Sequence, residues 1–370
     1  YLADVIALGH RRLSLIDLEG GAQPLVYGDG EYVIVFNGEI YNYRDLRADL
    51  EQQGWSFKTN SDTEVLLVGY LAWGEAVLDK VRGMFAFAIW SRDARELFCA
   101  RDFFGIKPFY YTIQKGQFIF ASEIKCILEH PAYERELNED ALEQYLCFQF
   151  SALPETFFKG IFKLPPAHFM RVHEDGTYDM VRYWKPEYHY DETRSLEETI
   201  QAIHAVMQDS VRYHNVADVE VGSFLSSGID SSYMAACLGQ ENPDIKTFTV
   251  GFAEYEGERD EISWAVELAD TLHISNKSKH ITEAEFWNSL SKVQWHMDEP
   301  SADPSAVALY FVDQLAAQDV KAVLSGEGAD EFVAGYKAYQ DYKRYSREKH
   351  PLYYGATHAM REIDQRHYIK

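Results

Sequence analysis

The chain has 370 residues, 46% of them hydrophobic, with Tyr and Phe abundant and a formal charge of −24. At about 100 to 200 residues per domain this length predicts two globular domains, each with its own core. The acidic balance argues against nucleic acid as a partner, because phosphate backbones select a basic face. No apolar run approaches the ~20 residues of a membrane span, so a soluble protein is expected.

From the start to about Tyr183 the pattern is strand-rich. Tyr32 to Phe36, Phe85 to Trp90, Leu97 to Ala100 and Phe118 to Ala121 are short β-type runs between turn residues. Two stretches, Tyr43 to Gln53 and Thr63 to Leu78, place apolar residues at three- and four-residue spacing and predict helices. The mixture suits a layered α+β domain. Trp184 to Ser195 breaks both periodicities and predicts a linker.

Beyond it helices and strands alternate. Helical Leu196 to Tyr213 leads to strand Val219 to Leu225, helix Ser231 to Gly239, strand Lys246 to Gly251, helix Ile262 to Leu272, strand Ser278 to Ile281 and strand Lys321 to Leu324. That order predicts a parallel sheet with helices on both faces, whose ligands bind at the carboxyl ends of strands.

The segment Leu225-Ser226-Ser227-Gly228-Ile229-Asp230-Ser231-Ser232 stands at such an end. Small residues leave backbone N–H groups open, and a helix N-terminus adds roughly half a positive charge, which suits a phosphate. No lysine in the P-loop pattern accompanies it, so γ-phosphate transfer is not implied. The competing reading is a tight strand-to-helix connection. Asp230 among the loop amides suits a magnesium-bound phosphate.

These residues resemble the pyrophosphate loop of the ATP pyrophosphatases. Leu324-Ser325-Gly326-Glu327-Gly328-Ala329-Asp330-Glu331, with Gly335 and Tyr336, resembles the second signature of glutamine-hydrolysing asparagine synthetases. Phe36-Asn37-Gly38-Glu39-Ile40-Tyr41-Asn42 and Arg101, Asp102, Phe104, Gly105, Lys107, Pro108 resemble their glutaminase half. Four motifs in the same order extend the resemblance over essentially the whole chain.

The resemblance implies a four-layer αββα glutaminase domain of the N-terminal-nucleophile type over residues 1–185. An α/β domain with a parallel sheet, similar to ATP pyrophosphatases and adenine nucleotide alpha-hydrolases, follows over 196–370. It implies ATP and Mg2+, with Asp230 and Asp330 on the metal and Ser226, Gly228, Ser231 and Ser232 around the pyrophosphate. Leu225, Val250, Ser325 and Gly326 would contact the nucleotide, and Glu327 is the carboxylate implied in forming an acyl-adenylate. Core packing accounts equally well for Leu225 and Val250, and helix capping is the rival for Asp330 and Glu331. Ser227 stands where many family members carry glycine. Asp298, Glu299, Pro300, Asp303 and Pro304 resemble a stretch near the acceptor, although a solvated acidic loop explains them as well.

For glutamine, the resemblance places Arg12 on the α-carboxylate, Asp62 on the α-amine, Asn37 and the Gly38 amide at the oxyanion, and Glu39 as a further contact. A surface arginine, a helix N-cap at Asp62 and an Asn-Gly hairpin turn are the rival readings. The family nucleophile is an N-terminal cysteine, whereas residue 1 is Tyr and Cys99, Cys126, Cys147 and Cys237 show neither CxxC nor zinc spacing. The chain therefore reads as part of a longer polypeptide, reaching further at both ends. Lys337, Lys343 and Arg344 are given no catalytic role.

The expected function is amidation of aspartate through β-aspartyl-AMP, with ammonia from glutamine, release of AMP and pyrophosphate, and a shielded path for ammonia. The alternatives are an amidotransferase or β-lactam-synthetase-like enzyme acting on another carboxylate, a glutaminase-dead ammonia-dependent chain, or a non-catalytic nucleotide-binding one. The partners are small substrates, a homodimer is permitted, and a reducing cytoplasm is expected.

Overall fold

The computed structural model describes residues 1–189, 191–255, 260–333, 335 and 336. The chain divides into two compact units. The first comprises Tyr1–Asn138 and Leu153–Thr199; the second takes Glu139–Ala152 and the described residues from Ile200 onward.

In the first unit β1 (Leu2–Ala3) and β2 (Ile6–Ala7) make a short antiparallel pair. A six-stranded antiparallel sheet is built from β3 (Leu25–Tyr27), β4 (Tyr32–Ile40), β5 (Gly83–Ser91) and β6 (Glu96–Arg101). A second sheet takes β7 (Tyr110–Gln114), β8 (Gln117–Ala121) and β9 (Phe162–Lys163) in the order β8-β7-β9. β10 (His168–His173) and β11 (Tyr178–Arg182) complete the first, whose order is β11-β10-β6-β5-β4-β3.

Side-chain alternation makes the layers. Val33, Val35, Ala86, Ala88, Trp90, Leu97 and Cys99 face Phe109, Tyr111 and Leu164 in a core shared by the two sheets. The intervening Ile34, Phe85, Phe87, Ile89 and Phe98 are equally buried on the opposite face. There Tyr70 of α2 (Asp62–Trp73) stacks on Phe98 at 4.8 Å, and α1 (Tyr43–Gln52) packs beside α2. α3 (Ile124–Leu128) covers the outer face of the small sheet through Ile124 and Ile127. The result is the expected αββα arrangement. Burial on both faces also explains why Met84 to Trp90 reads as a continuous apolar run although its neighbours are antiparallel. The helix expected over Thr63 to Leu78 ends earlier, because Gly74 adopts a left-handed φ of 59° and a 3₁₀ turn follows over Gly74–Asp79.

The second unit contains α4 (Glu139–Phe148), most of α5 (Leu196–His214), β12 (Val221–Phe224), α6 (Ile229–Glu241), β13 (Lys246–Phe252) and α7 (Glu261–Leu272). β14 (Ser275–Ile281), α8 (Glu283–Met297), α9 (Ser305–Ala316), β15 (Ala322–Leu324) and α10 (Ala329–Val333) follow. The sheet is parallel, in the order β14-β13-β12-β15. α6 and α7 bury Ala235, Leu238, Ala265 and Ala269 on one side, and α9 buries Val312, Leu315 and Ala316 against Phe248 on the other. After β12 the chain adds β13 and β14 on one side, then returns to place β15 on the other. The crevice at this reversal, between the carboxyl ends of β12 and β15, is where such sheets bind ligands.

Candidate active sites

The expected glutamine residues converge in the first unit. Asn37, Gly38 and Glu39 lie within β4 and pair with Ala86, Phe85 and Met84 of β5. The hairpin-turn reading of Asn37-Gly38 is therefore corrected: these residues are strand interior. Gly38 is required by proximity, since a Cβ there would stand 2.1 Å from the Met84 carbonyl oxygen. Asp62 is 3% exposed and opens α2, where its Oδ2 accepts the Ile40 N–H at 3.1 Å. It is not the N-cap, a role taken by Ser61, whose hydroxyl accepts the Thr63 N–H at 3.0 Å.

Arg12 is half-buried rather than a free surface arginine. Its guanidinium donates to the carbonyls of Asp17 (2.9 Å) and Ile16, and a Cβ at Gly21 would lie 2.5 Å from it. Arg12, Asn37, Gly38, Glu39 and Asp62 line one open cavity of about 1370 Å³. Two further lining residues carried no expected role at the sequence level. Gln23 accepts the Phe36 N–H at 2.6 Å and donates to the Phe36 carbonyl at 3.0 Å, so a side chain extends the sheet edge. Lys107 enters from the loop after β6.

Asp102 organises that loop. It is 1% exposed and its carboxylate accepts backbone N–H groups from Phe85 (3.2 Å), Phe104 (3.1 Å), Ile106 (2.9 Å) and Lys107 (2.9 Å). Arg101 completes the clamp by donating to the carbonyls of Lys107 (2.7 Å), Gly105 (2.7 Å) and Leu164 (2.6 Å). The Arg-Asp motif thus holds a loop that presents Lys107. An Asp102→Ala change orphans the buried Phe85 donor, at about 1–3 kcal/mol, and leaves the three part-buried donors of the loop to water. A loss of about 2–3 kcal/mol is expected in urea unfolding of the first unit, with glutamine binding weakened as the loop that presents Lys107 loosens.

Electrostatics in the cavity are strained. Burial, then the Asp62 carboxylate, pushes the Glu39 pKa up to about 8, with Lys107 and Arg12 opposing. Burial raises Asp62 to about 6, against the N–H groups of Ile40 and Thr63 and the charge of Arg12. Both folded values lie above the unfolded ones, so the native state binds more protons and stability falls as pH rises from about 4 to about 8. Glu39→Gln removes the larger part of this dependence. Its thermal midpoint is expected to exceed that of the parent at pH 8 and to match it at pH 5, as scanning calorimetry would show.

The second site lies at the reversal point of the parallel sheet. A cleft of about 690 Å³ is lined by Leu225, Ser226, Gly228, Asp230, Ser231, Val250, Ser325, Gly326, Glu327 and Asp330. The two loops touch: a Cβ on Gly326 would stand 3.0 Å from the Asp230 Cβ and 3.1 Å from the Ser231 N. Ser223 ties the strands beneath by donating to the Leu324 carbonyl at 3.3 Å. Ser231 sits across the first loop, its hydroxyl 2.8 Å from that of Ser226 and 3.1 Å from the Ser226 N–H donor.

Ser232 does not line the cleft; its hydroxyl donates to the Gly228 carbonyl at 2.6 Å, a bond within the first loop. Leu225 is both cleft wall and core, at 1% exposure, while Val250 is half-buried and packs below the cleft. Asp330 is the second residue of α10, and its carboxylate, like that of Asp230, accepts no hydrogen bond from a described residue, which disfavours the capping reading. Glu327 lies 3.4 Å from the Ser325 hydroxyl, and Glu331 accepts the Tyr336 hydroxyl at 2.7 Å. Ser227 and the acidic stretch Asp298 to Pro304 do not line this cleft. Lys337, Lys343 and Arg344 lie outside the described residues.

Two free carboxylates facing one cleft fit a hard cation that takes oxygen ligands. No cluster of three or more His, Cys, Asp or Glu residues occurs among the described residues, so phosphate oxygens or waters would supply the remaining positions. No helix of the described residues is long and apolar enough to cross a membrane.

Comparison with known proteins agrees with this division. Residues 1–184 match the glutamine amidotransferase domain family and residues 202–368 match the asparagine synthase family. The chain is 44% identical over 336 residues to glutamine-hydrolysing asparagine synthetase 1 of Bacillus subtilis, covering 91% of this chain and 52% of the relative. It is 34% identical to synthetase 3 of the same organism, covering 90% of this chain and 56% of that relative. To a Methanocaldococcus jannaschii protein bearing the glutamine-hydrolysing asparagine synthetase name it is 34% identical over 360 residues, 90% of this chain and 67% of that one. The chain thus spans about half the length of the Bacillus relatives. With both halves matched in order and two thirds of one relative covered, the chain belongs to the glutamine-hydrolysing asparagine synthetase family.

Proposed function

We propose that this chain amidates aspartate to asparagine at the expense of ATP, releasing AMP and pyrophosphate, with nitrogen from glutamine. Residues 1–185 act as the glutaminase and residues 196–370 as the synthetase. The observation that carries the reading is the meeting of two loops at the reversal point of the parallel sheet, which brings Asp230 and Asp330 to one cleft beside the N-terminus of α6.

In this reading the first loop and the N-terminus of α6 bind the pyrophosphate part of ATP through backbone N–H groups. Asp230 and Asp330 hold Mg2+, which when bound neutralises the leaving pyrophosphate. Ser226 and Ser231 orient the phosphates, Leu225, Val250, Ser325 and Gly326 seat the nucleoside, and Glu327 serves formation of the acyl-adenylate. Aspartate attacks the α-phosphorus through its β-carboxylate; ammonia then displaces AMP. In the first unit Arg12 binds the α-carboxylate of glutamine, Asp62 and Glu39 its ammonium, and Asn37 with the Gly38 amide stabilises the oxyanion. The protein works in the cytoplasm, and a homodimer is the proposed assembly.

The test is release of AMP and pyrophosphate by the full-length protein with ATP and magnesium, with and without aspartate, supplied with ammonia or glutamine. Aspartate-dependent release from both donors is the expected result. Release with ammonia alone means a synthetase without glutaminase activity. ATP binding without aspartate-dependent release overturns the asparagine assignment and favours another carboxylate.

A further inference from the structure

The cavity that holds Glu39 and Asp62 also contains a cation with no assigned part in the chemistry. Lys107 is fixed through its main chain on both sides: its N–H donates to Asp102 Oδ2 at 2.9 Å and its carbonyl accepts Arg101 Nε at 2.7 Å. Its ammonium makes no ion pair within 4.0 Å with any described residue, although the side chain lines the cavity wall. On the wall of the same cavity, Glu39 keeps one carboxylate oxygen buried with no hydrogen-bond partner. A buried, unpartnered carboxylate oxygen is costly and calls for a donor. Asp62 on α2, Arg12 from the segment before β3, and Tyr41 just past the end of β4 are the other titratable or charged groups near Glu39. Lys107 answers to Glu39 and Asp102.

We propose that Lys107 is a positioning residue of the glutamine pocket, a counter-charge that lowers the cost of ionising Glu39 when substrate arrives, so that Glu39 and Asp62 select substrates bearing a free α-ammonium. The inference rests on the glutaminase reading and extends it. The separation between Lys107 and Glu39 suits the role: a closed ion pair would satisfy the carboxylate and compete with the substrate, whereas a cation beyond contact biases its ionisation and leaves the oxygen free. Burial depresses the Lys107 pKa, with Glu39 and Asp102 pulling it back, as expected for a cation maintained by its acidic neighbours. The tight main-chain clamp has a corresponding purpose, because a charge acting at a distance is effective only when its position is fixed.

The experiment is calorimetric titration of glutamine into the full-length protein between pH 6.5 and 8.5. The parent, Lys107→Met, Lys107→Arg, Glu39→Gln and the Glu39→Gln/Lys107→Met double variant are compared. Lys107→Met is expected to weaken binding about tenfold at pH 6.5, the change that one pKa unit produces, and only about threefold at pH 8.5, where ionising Glu39 costs less. Lys107→Arg restores the parental profile, and in the Glu39→Gln background the second substitution adds no pH-dependent loss. Lys107→Gln, which keeps a polar stem, replaces Lys107→Met if the latter fails to fold. A loss of equal size at every pH, a loss that persists without the Glu39 charge, or parental binding by Lys107→Met each overturns the inference. Failure of the parent to bind glutamine at any pH overturns the glutaminase reading instead, and binding without hydrolysis leaves the pH profile decisive.

Discussion

Asp230→Asn is expected to lower aspartate-dependent release of AMP and pyrophosphate by at least about 10³-fold, the scale lost when one fixed group opposing developing charge is removed. Asparagine keeps the shape and fits between the first loop and Gly326, whose closest approach is to the backbone and Cβ of residue 230. The change therefore removes a charge and little else. Asp230 and Asp330 stand on the two loops that meet in the cleft, and neither carboxylate takes a bond from a described neighbour, so a divalent cation held by one of them is held weakly. Raising magnesium should recover part of the activity. Retention of activity within tenfold of the parent would show that Asp230 merely shapes the loop.

Gly38→Ala is expected to reduce ammonia release from glutamine by about 10²- to 10³-fold while ammonia-dependent AMP formation persists. The reason is steric. The new methyl group would stand 2.1 Å from the Met84 carbonyl oxygen, 2.7 Å from the Phe85 Cα and 2.8 Å from the Phe36 ring. Two of these are backbone atoms of the paired strand, so β4 must shift away from β5 and carry the residue 38 amide with it. The accompanying loss of stability is about 1–3 kcal/mol, readable in urea unfolding. An unchanged glutaminase rate with an unchanged urea midpoint would remove Gly38 from the proposed oxyanion site.

What could be read from the chain alone followed the range of the interactions involved. The two Ser/Gly loops were legible because strand, small residues, acid and helix succeed one another within about ten residues, and alternating elements fix a parallel sheet. The cleft they form was legible for the same reason. Asn37-Gly38 illustrates the limit. The dipeptide is a strong local turn signal, yet pairing with Ala86 and Phe85, nearly fifty positions away, makes it strand, and the need for glycine arises from that partner. At Asp62 the capping pattern was present but displaced by one residue, since the neighbouring Ser61 has the shorter reach to the Thr63 amide. Gln23 gave no sequence signal, and Lys107 appeared only as a motif residue without a role, because the meaning of both comes from the cavity they line. Asp102 was visible as a motif residue, but its four amide partners span residues 85 to 107 and only the fold assembles them.

The order of strands in the second unit also bears on how the protein acquires its nucleotide site in time. β12 is made early, but its partner on the cleft side, β15, arrives about a hundred residues later, and the Ser223 hydroxyl meets the Leu324 carbonyl only across that interval. Contacts of such sequence separation form late and slowly. A ribosome-bound chain that has emerged only through β14 can pair three strands and bury Leu238 among Ala235, Ala265 and Ala269, yet it holds one loop of the cleft without its mate. During synthesis the capacity to grip ATP should therefore switch on abruptly, after most of the sheet already stands.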